Sequence, residues 1–315
     1  MNIKRLAARS LSAVLDPTIA LSYDRTGYRR HSQQFDPADL DVDLTGRQVL
    51  ITGANSGIGR ATAAALARLG ATVWMLCRSP QRGEAARLAL TEETGGDLRL
   101  AVVDLSDQAS IRAFVAGFAL PVIDVLVHNA GVLPQDWRQT ADGLELTLAT
   151  NLVGPYLLTR LLQDRLAASD DGRLIFVSSG GMYTQKLKVA QLDARAKGFD
   201  GVVAYARTKR AMVVLSEVLA AELTGVGVHC MHPGWASTPG VATSIPRFHK
   251  VTAAILRTPQ QGADTIIWLA AAAAVRGRSG AFWFDRQPRR THYTPLTRES
   301  GRERARLMAA LEAWC

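Results

Sequence analysis

Gln48-Val49-Leu50-Ile51-Thr52 runs directly into Gly53-Ala54-Asn55-Ser56-Gly57-Ile58-Gly59, and an alanine-rich stretch from Arg60 follows. The first five residues read as a buried strand, and the segment from Gly57 reads as a helix. A tight turn between them needs glycine for its backbone dihedrals. It also needs bare backbone if a pyrophosphate is to approach the helix N-terminus, where free N–H groups and the helix dipole favour anions. Such a turn is weak evidence alone, because glycines that serve only packing would look the same. Its position at the end of the chain's first strand strengthens the nucleotide reading.

Outward from this unit, apolar runs alternate with helical patterns. Strands are expected at Ala71–Cys77, Asp97–Val103, Ile123–His128, Arg173–Ser178 and Val226–Met231, with a last one near Ala281–Phe284. This alternation predicts an α/β fold, a doubly wound parallel sheet of Rossmann type covered by helices on both faces. There is no internal repeat or low-complexity linker. One domain is therefore expected over 46–285, with an N-terminal extension over 1–45 and a C-terminal tail over 286–315. At the end of the second strand, where an acid would accept hydrogen bonds from the ribose of NAD, stand Cys77 and Arg78. Arg78 offers a charged fork suited to a 2′-phosphate, which favours NADP(H) over NAD(H); a solvent-facing arginine is the plain alternative.

Composition limits the other classes. The 315 residues carry a net charge of +9, supplied almost wholly by arginine and interleaved with acids. With no array of aromatics for stacking bases, this reads as a solvated basic surface and not a nucleic-acid site. Cys77, Cys230 and Cys315 form no metal-binding pattern, and no metal is expected. The first two lie in apolar runs and read as buried free thiols, consistent with a cytoplasmic protein. Asp16 and Pro17 interrupt the N-terminal apolar run before signal length, and no stretch reaches the ~20 apolar residues of a spanning helix. Lys4, Arg5 and Arg9 beside Leu6, Leu11, Val14 and Leu15 make a basic amphipathic pattern, so weak peripheral membrane contact stays open beside a helix folded onto the domain.

The chemistry-bearing residues come later. Ser178-Ser179 ends the strand RLIFVSS, and Tyr205 and Lys209 sit four apart, on one face of a helix. A phenol is a poor acid–base catalyst near neutral pH unless a neighbouring cation favours its phenolate, and Lys209 together with a cationic nicotinamide ring is expected to lower Tyr205 in this way. Met182, Tyr183, Trp235, Val241, Ile245, Phe248, Val251 and Ile255 are candidates for an apolar substrate cleft, or equally for the packing of a lid helix.

Taken in order, the glycine turn, Asp104, Asn129-Ala130-Gly131, Ser179 and the Tyr205–Lys209 pair resemble the short-chain dehydrogenase/reductase family. The resemblance implies a nicotinamide-dependent oxidoreductase interconverting carbonyl and alcohol. It implies that Gly53, Asn55, Ser56, Gly57, Ile58, Gly59, Asp104, Leu105, Asn129, Ala130 and Gly131 line the cofactor. Asp104 would meet the adenine, while Pro233, Gly234 and Thr238 would close over the nicotinamide. Ser179 would bond the substrate oxygen, Tyr205 would exchange the proton, and Lys209 would tune Tyr205 and hold the ribose. Asn151 would complete the catalytic set by holding a water. Pro155, four residues on, has no N–H for the Asn151 carbonyl, which suits that role. His128 stands where the family usually has asparagine and reads as a structural substitution. VSSGGM (177–182) and MHPGW (231–235) are similar to members near the retinol-dehydrogenase-like branch, which implies a lipophilic small-molecule substrate. The resemblance also implies homodimer pairing through the helices of Asn151 and Tyr205. A cofactor-binding scaffold with little activity is the rival reading, but it has no need of the four catalytic residues.

Overall fold

Successive residues of β1 (Gln48–Thr52) point to opposite faces of the sheet, and both faces are dry: Val49, Leu50 and Ile51 are all fully buried. Leu50 joins one apolar cluster with Leu126, Leu174 and Phe176, while Val49 and Ile51 join a second with Val127 and Ile175. Burial on both sides explains why these strands are continuous apolar runs rather than alternating ones. The computed structural model describes residues 22–244 and 246–315.

The strands are β1, β2 (Thr72–Cys77), β3 (Leu98–Val102), β4 (Val125–His128), β5 (Gly172–Val177), β6 (Val226–Met231), β7 (Phe282–Phe284) and β8 (Gln287–Pro288). They form one sheet of order β3-β2-β1-β4-β5-β6-β7-β8, parallel except for the antiparallel β7–β8 pair. The winding reverses between β1 and β4, so a crevice opens at their C-terminal ends. Among the described residues the helices of six residues or more are α1 (Arg25–Ser32), α2 (Gly57–Arg68), α3 (Pro80–Thr94), α4 (Gln108–Gly117), α5 (Gly154–Ala167), α6 (Gly201–Glu222), α7 (Pro239–Ser244), α8 (Pro246–Thr252), α9 (Pro259–Ala271) and α10 (Gly301–Trp314). The alanine run that follows Ile266 is packed inside, with Ala270, Ala271 and Ala272 buried. No helix among the described residues is long and apolar enough to cross a membrane.

The described residues on either side of the sheet pack against it. Those from Ser22 to His31 are held by a buried charge cluster. Arg257 donates to both carboxylate oxygens of Asp285 (2.6 and 2.8 Å) and to the carbonyls of Ser22 and Tyr23. His31 lies 2.6 Å from the same carboxylate. Asp285 and Arg286 both have positive φ, +49° and +58°, and make the tight turn into β8; that strand was not anticipated. At the other end α10 buries Leu307 and Leu311 in the core that α6 shares, and Arg304 pairs with Glu217 of α6. Gln108 and Arg112 of α4 donate to the carbonyls of Trp314 and Cys315. The basic amphipathic stretch from Lys4 to Leu15 lies outside the described residues.

Candidate active site

At the crevice, Gly53 (φ +68°) donates its N–H to the Leu76 carbonyl at 2.8 Å, and Gly57 (φ +54°) opens α2. Ser56 is the N-cap of α2, and its side chain makes no cap bond to the first-turn amides. Gly59 is buried where a Cβ would lie 2.5 Å from both Asn129 Nδ2 and the Gly53 carbonyl. The Asn129 side chain donates to the Thr52 carbonyl at 2.9 Å, and Thr52 Oγ1 accepts the Asn129 and Ala130 N–H groups at 3.0 Å each. Asn129 therefore ties the ends of β1 and β4 together. Ile58 packs against Gly262, and Thr238 covers Gly57. The backbones of Ala54 and Asn55 hydrogen-bond the Cys77 thiol, whose pKa burial pushes up to about 11.

Arg78 is exposed, with its Nε 3.9 Å from Asp104 Oδ2. Asp104 is turned by Ser106, whose N–H and hydroxyl both donate to Oδ1. Leu105 differs from its neighbours in the expected set: its side chain belongs to the core, and its carbonyl lies where a Cβ on Gly154 would approach to 2.1 Å.

On α6, started by Asp200 capping the Val202 and Val203 amides, the spacing of four brings Tyr205 and Lys209 together. Lys209 Nζ is buried, 5.5 Å from the Tyr205 ring centroid, and donates to the Val177 carbonyl at 2.8 Å. Ser178 and Ser179 divide: Ser178 Oγ donates to the Lys209 carbonyl, while Ser179 hydrogen-bonds Tyr205. Asn151 lies in a π-helical turn, Ala149–Val153, that carries the chain into α5 just before Pro155. Its Oδ1 accepts the Val132 N–H at 2.8 Å and its Nδ2 donates to the Val132 carbonyl at 3.0 Å. A Cβ on Gly131 would lie 3.4 Å from both Asn151 Oδ1 and Lys209 Nζ, so these three residues line one space.

The electrostatics correct one expectation. Burial raises the Tyr205 phenol above the ordinary tyrosine range, against the lowering effect of the Ser179 hydrogen bond. Lys209 is not among the groups that shift the phenol, and desolvation lowers the Lys209 ammonium itself to about 8. His128 is structural, as expected: it stacks on Phe176 at 4.9 Å, pairs with Thr159, and is held neutral by burial at a pKa of about 3.

Pro233 and Gly234 follow β6, and Gly234 (φ +74°) lies against the Tyr23 carbonyl and Arg257. Of the apolar candidates, Met182 is buried, Tyr183 and Trp235 are half-buried, and Val251 is 84% exposed. Ile255 is exposed as well. Ile245 and the side chains of Val241 and Phe248 lie outside the described residues. Sequence reasoning missed Thr52, Val132, Val177 and Arg210, which act by hydrogen bonds to or from backbone groups, and those leave no side-chain pattern to read.

A family model for short chain dehydrogenases matches residues 47–247, and the chain belongs to this family of oxidoreductases. It is 43% identical over 295 residues to bovine dehydrogenase/reductase SDR family member 12, covering 92% of this chain and 93% of the relative. Mouse retinol dehydrogenase 14 is 36% identical, with coverage of 88% and 89%. Among solved structures, an uncharacterised protein of Mycobacterium paratuberculosis superposes with TM-score 0.70 at 30% identity, covering 89% of this chain and 97% of its own. A short chain dehydrogenase of Escherichia coli complexed with NADPH superposes with TM-score 0.63 at 27% identity, covering 80% and 100%.

Proposed function

We propose that the chain is an NADP(H)-dependent oxidoreductase that interconverts a carbonyl and an alcohol on a lipophilic substrate, with Asn151, Ser179, Tyr205 and Lys209 as its catalytic set. The observation that carries this reading is the meeting of Ser179, Tyr205 and Lys209, with the Lys209 ammonium facing Gly131 and Asn151. The bare backbone at Gly53 and Gly57 fits a dinucleotide, and Gly59 lets α2 pack close against Gly53 and Asn129, where a Cβ would collide. The nicotinamide, when bound, supplies or accepts the hydride. The backbone over Asn55–Gly59 would take the pyrophosphate, Arg78 a 2′-phosphate and Asp104 the adenine. Asn129, Ala130, Gly131, Pro233, Gly234 and Thr238 would border the nicotinamide end.

The proton chemistry follows from the local charges. A Tyr205 phenol with a raised pKa keeps its proton at neutral pH, and so can donate it to the alkoxide that develops as a carbonyl is reduced. Ser179 steadies that oxygen by donating its own hydroxyl. Positive charge from Lys209 and an oxidised nicotinamide would favour the phenolate needed for the reverse step.

Half-buried Tyr183 and Trp235, together with relatives named as retinol dehydrogenases, support the lipophilic substrate, whereas Met182 belongs to the core. Residues 46–285 are proposed as the catalytic domain. A cytoplasmic location is supported by the buried free thiols of Cys77 and Cys230. Weak membrane contact would rest on Lys4, Arg5 and Arg9, and liposome co-sedimentation with and without residues 1–21 tests it. A homodimer through α5 and α6 would have to form around α10, which packs on α6; sedimentation velocity decides that point.

NADPH oxidation against a panel of lipophilic aldehydes and ketones tests the whole reading. Tyr205→Phe should lower turnover by about 10²-fold or more with NADPH binding unchanged. Full activity in that variant would refute the assignment.

A further inference from the structure

Arg210 follows Lys209 on α6 and is fully buried, although none of the chemistry above uses it. Its Nε donates to the carbonyls of Met182 and Gln185, each at 3.1 Å, and its Nη1 donates to the Thr291 carbonyl at 2.8 Å. Met182 lies in the 3-10 turn Gly180–Thr184, which Ser179 begins as N-cap and Gln185 ends. The guanidinium thus bolts the turn that carries Ser179 to α6 and to the chain beyond β8. That chain grips the same turn independently. Tyr183 Oη donates to the Arg290 carbonyl at 2.7 Å, and its ring lies 4.2 Å from that of Tyr293. From the other side the Tyr23 ring backs Gly180, where a Cβ would lie 2.7 Å from it.

We propose that Arg210 is a positioning residue. By holding Met182 and Gln185 it orients the Ser179 hydroxyl toward Tyr205, and through Thr291 it couples the C-terminal segment to the active site. Burying a guanidinium is costly, and an apolar residue of similar volume would fill the space without desolvation. What only arginine offers is a rigid, planar fork that reaches carbonyls from two segments at once; a lysine has a single head group. Within its own turn the Ser179 Oγ accepts one N–H, from Gly181, at 3.3 Å, so its direction follows the turn that Arg210 holds.

The inference rests on the proposed role of Ser179, and its test separates the two. Arg210→Met and Arg210→Lys are compared with the full-length wild type, using NADPH and the best aldehyde of a lipophilic panel beginning with nonanal. Misplacing a reacting group by about 1 Å costs on the order of 10²-fold, so kcat of Arg210→Met should fall by roughly 30–100-fold with NADPH Kd unchanged. Arg210→Lys should recover part of the loss. In a Ser179→Ala background Arg210→Met should cost less than roughly 3-fold, because coupled residues are not additive. Full additivity, unchanged kcat, or a parallel loss of NADPH affinity overturns the proposal. If Arg210→Met does not fold, Arg210→Lys carries the same cycle. Amide hydrogen exchange supplies a readout independent of turnover: residues 181–185 should exchange faster in the variants while β1 and α2 stay unchanged. A wild type inactive on every aldehyde refutes the catalytic reading, whereas unchanged exchange at 181–185 refutes the clamp.

Discussion

Removing the charge of Asp285 should destabilise the protein far more than a typical substitution. Asp285 is 2% exposed and accepts both nitrogens of the Arg257 fork at 2.6 and 2.8 Å, and Arg257 is itself 1% exposed. Asp285→Asn keeps the shape of the side chain. It also suits φ +49°, since asparagine tolerates the left-handed region, so backbone strain is not introduced. What remains is a buried guanidinium whose anion is gone, a loss of about 3–5 kcal/mol for a broken buried pair. At roughly 2–3 °C per kcal/mol for a chain of this size, Tm should fall by roughly 6–15 °C. Differential scanning fluorimetry at pH 7 measures this. The pH dependence has a defined sign. Arg257 and the His31 hydrogen bond hold the Asp285 carboxyl at about 2, below its ordinary 3.8, against the opposing effect of burial. A depressed carboxylate contributes stability above its unfolded pKa and loses it as pH falls through the folded one. The gap between wild type and Asp285→Asn should therefore be full at pH 5 and narrow between about pH 4 and pH 2. Arg257→Met combined with Asp285→Asn should recover part of the loss, because no unpaired charge remains. A Tm change under about 2 °C at pH 7, or a gap that widens in acid, would refute the argument.

Other expectations can be checked by binding and stability. Arg78→Ala should weaken NADPH by about 1–3 kcal/mol, or 5–150-fold, and leave NADH nearly unchanged, as read by fluorescence titration. NADPH affinity should decline as pH rises through about 8, where the buried Lys209 ammonium loses its proton, and Lys209→Met should remove that step. Gly59→Ala forces a methyl to within 2.5 Å of the Gly53 carbonyl, so it should weaken NADPH more than tenfold and cost about 1–3 kcal/mol in urea denaturation.

The sequence alone determined the doubly wound sheet, because continuous apolar runs such as Val49–Ile51 have to be covered on both faces. The spacing of four that brings Tyr205 to Lys209 is equally local, a property of any helix, and the glycine turn announces itself through dihedrals that other residues avoid. Long-range relations were beyond it. Ser179 rather than Ser178 was named only through the family resemblance, because the choice depends on how β5 abuts α6, and the direction of the Tyr205 shift depends on burial, which pairs of residues do not encode. The ends of the chain show this most clearly. Arg257 and Asp285 lie 28 residues apart and His31 is 254 residues from Asp285, so only the tertiary fold could turn scattered charges into a clamp. The same holds for Arg210, whose partners are backbone carbonyls, groups that every residue possesses and that acquire meaning only from where the chain places them.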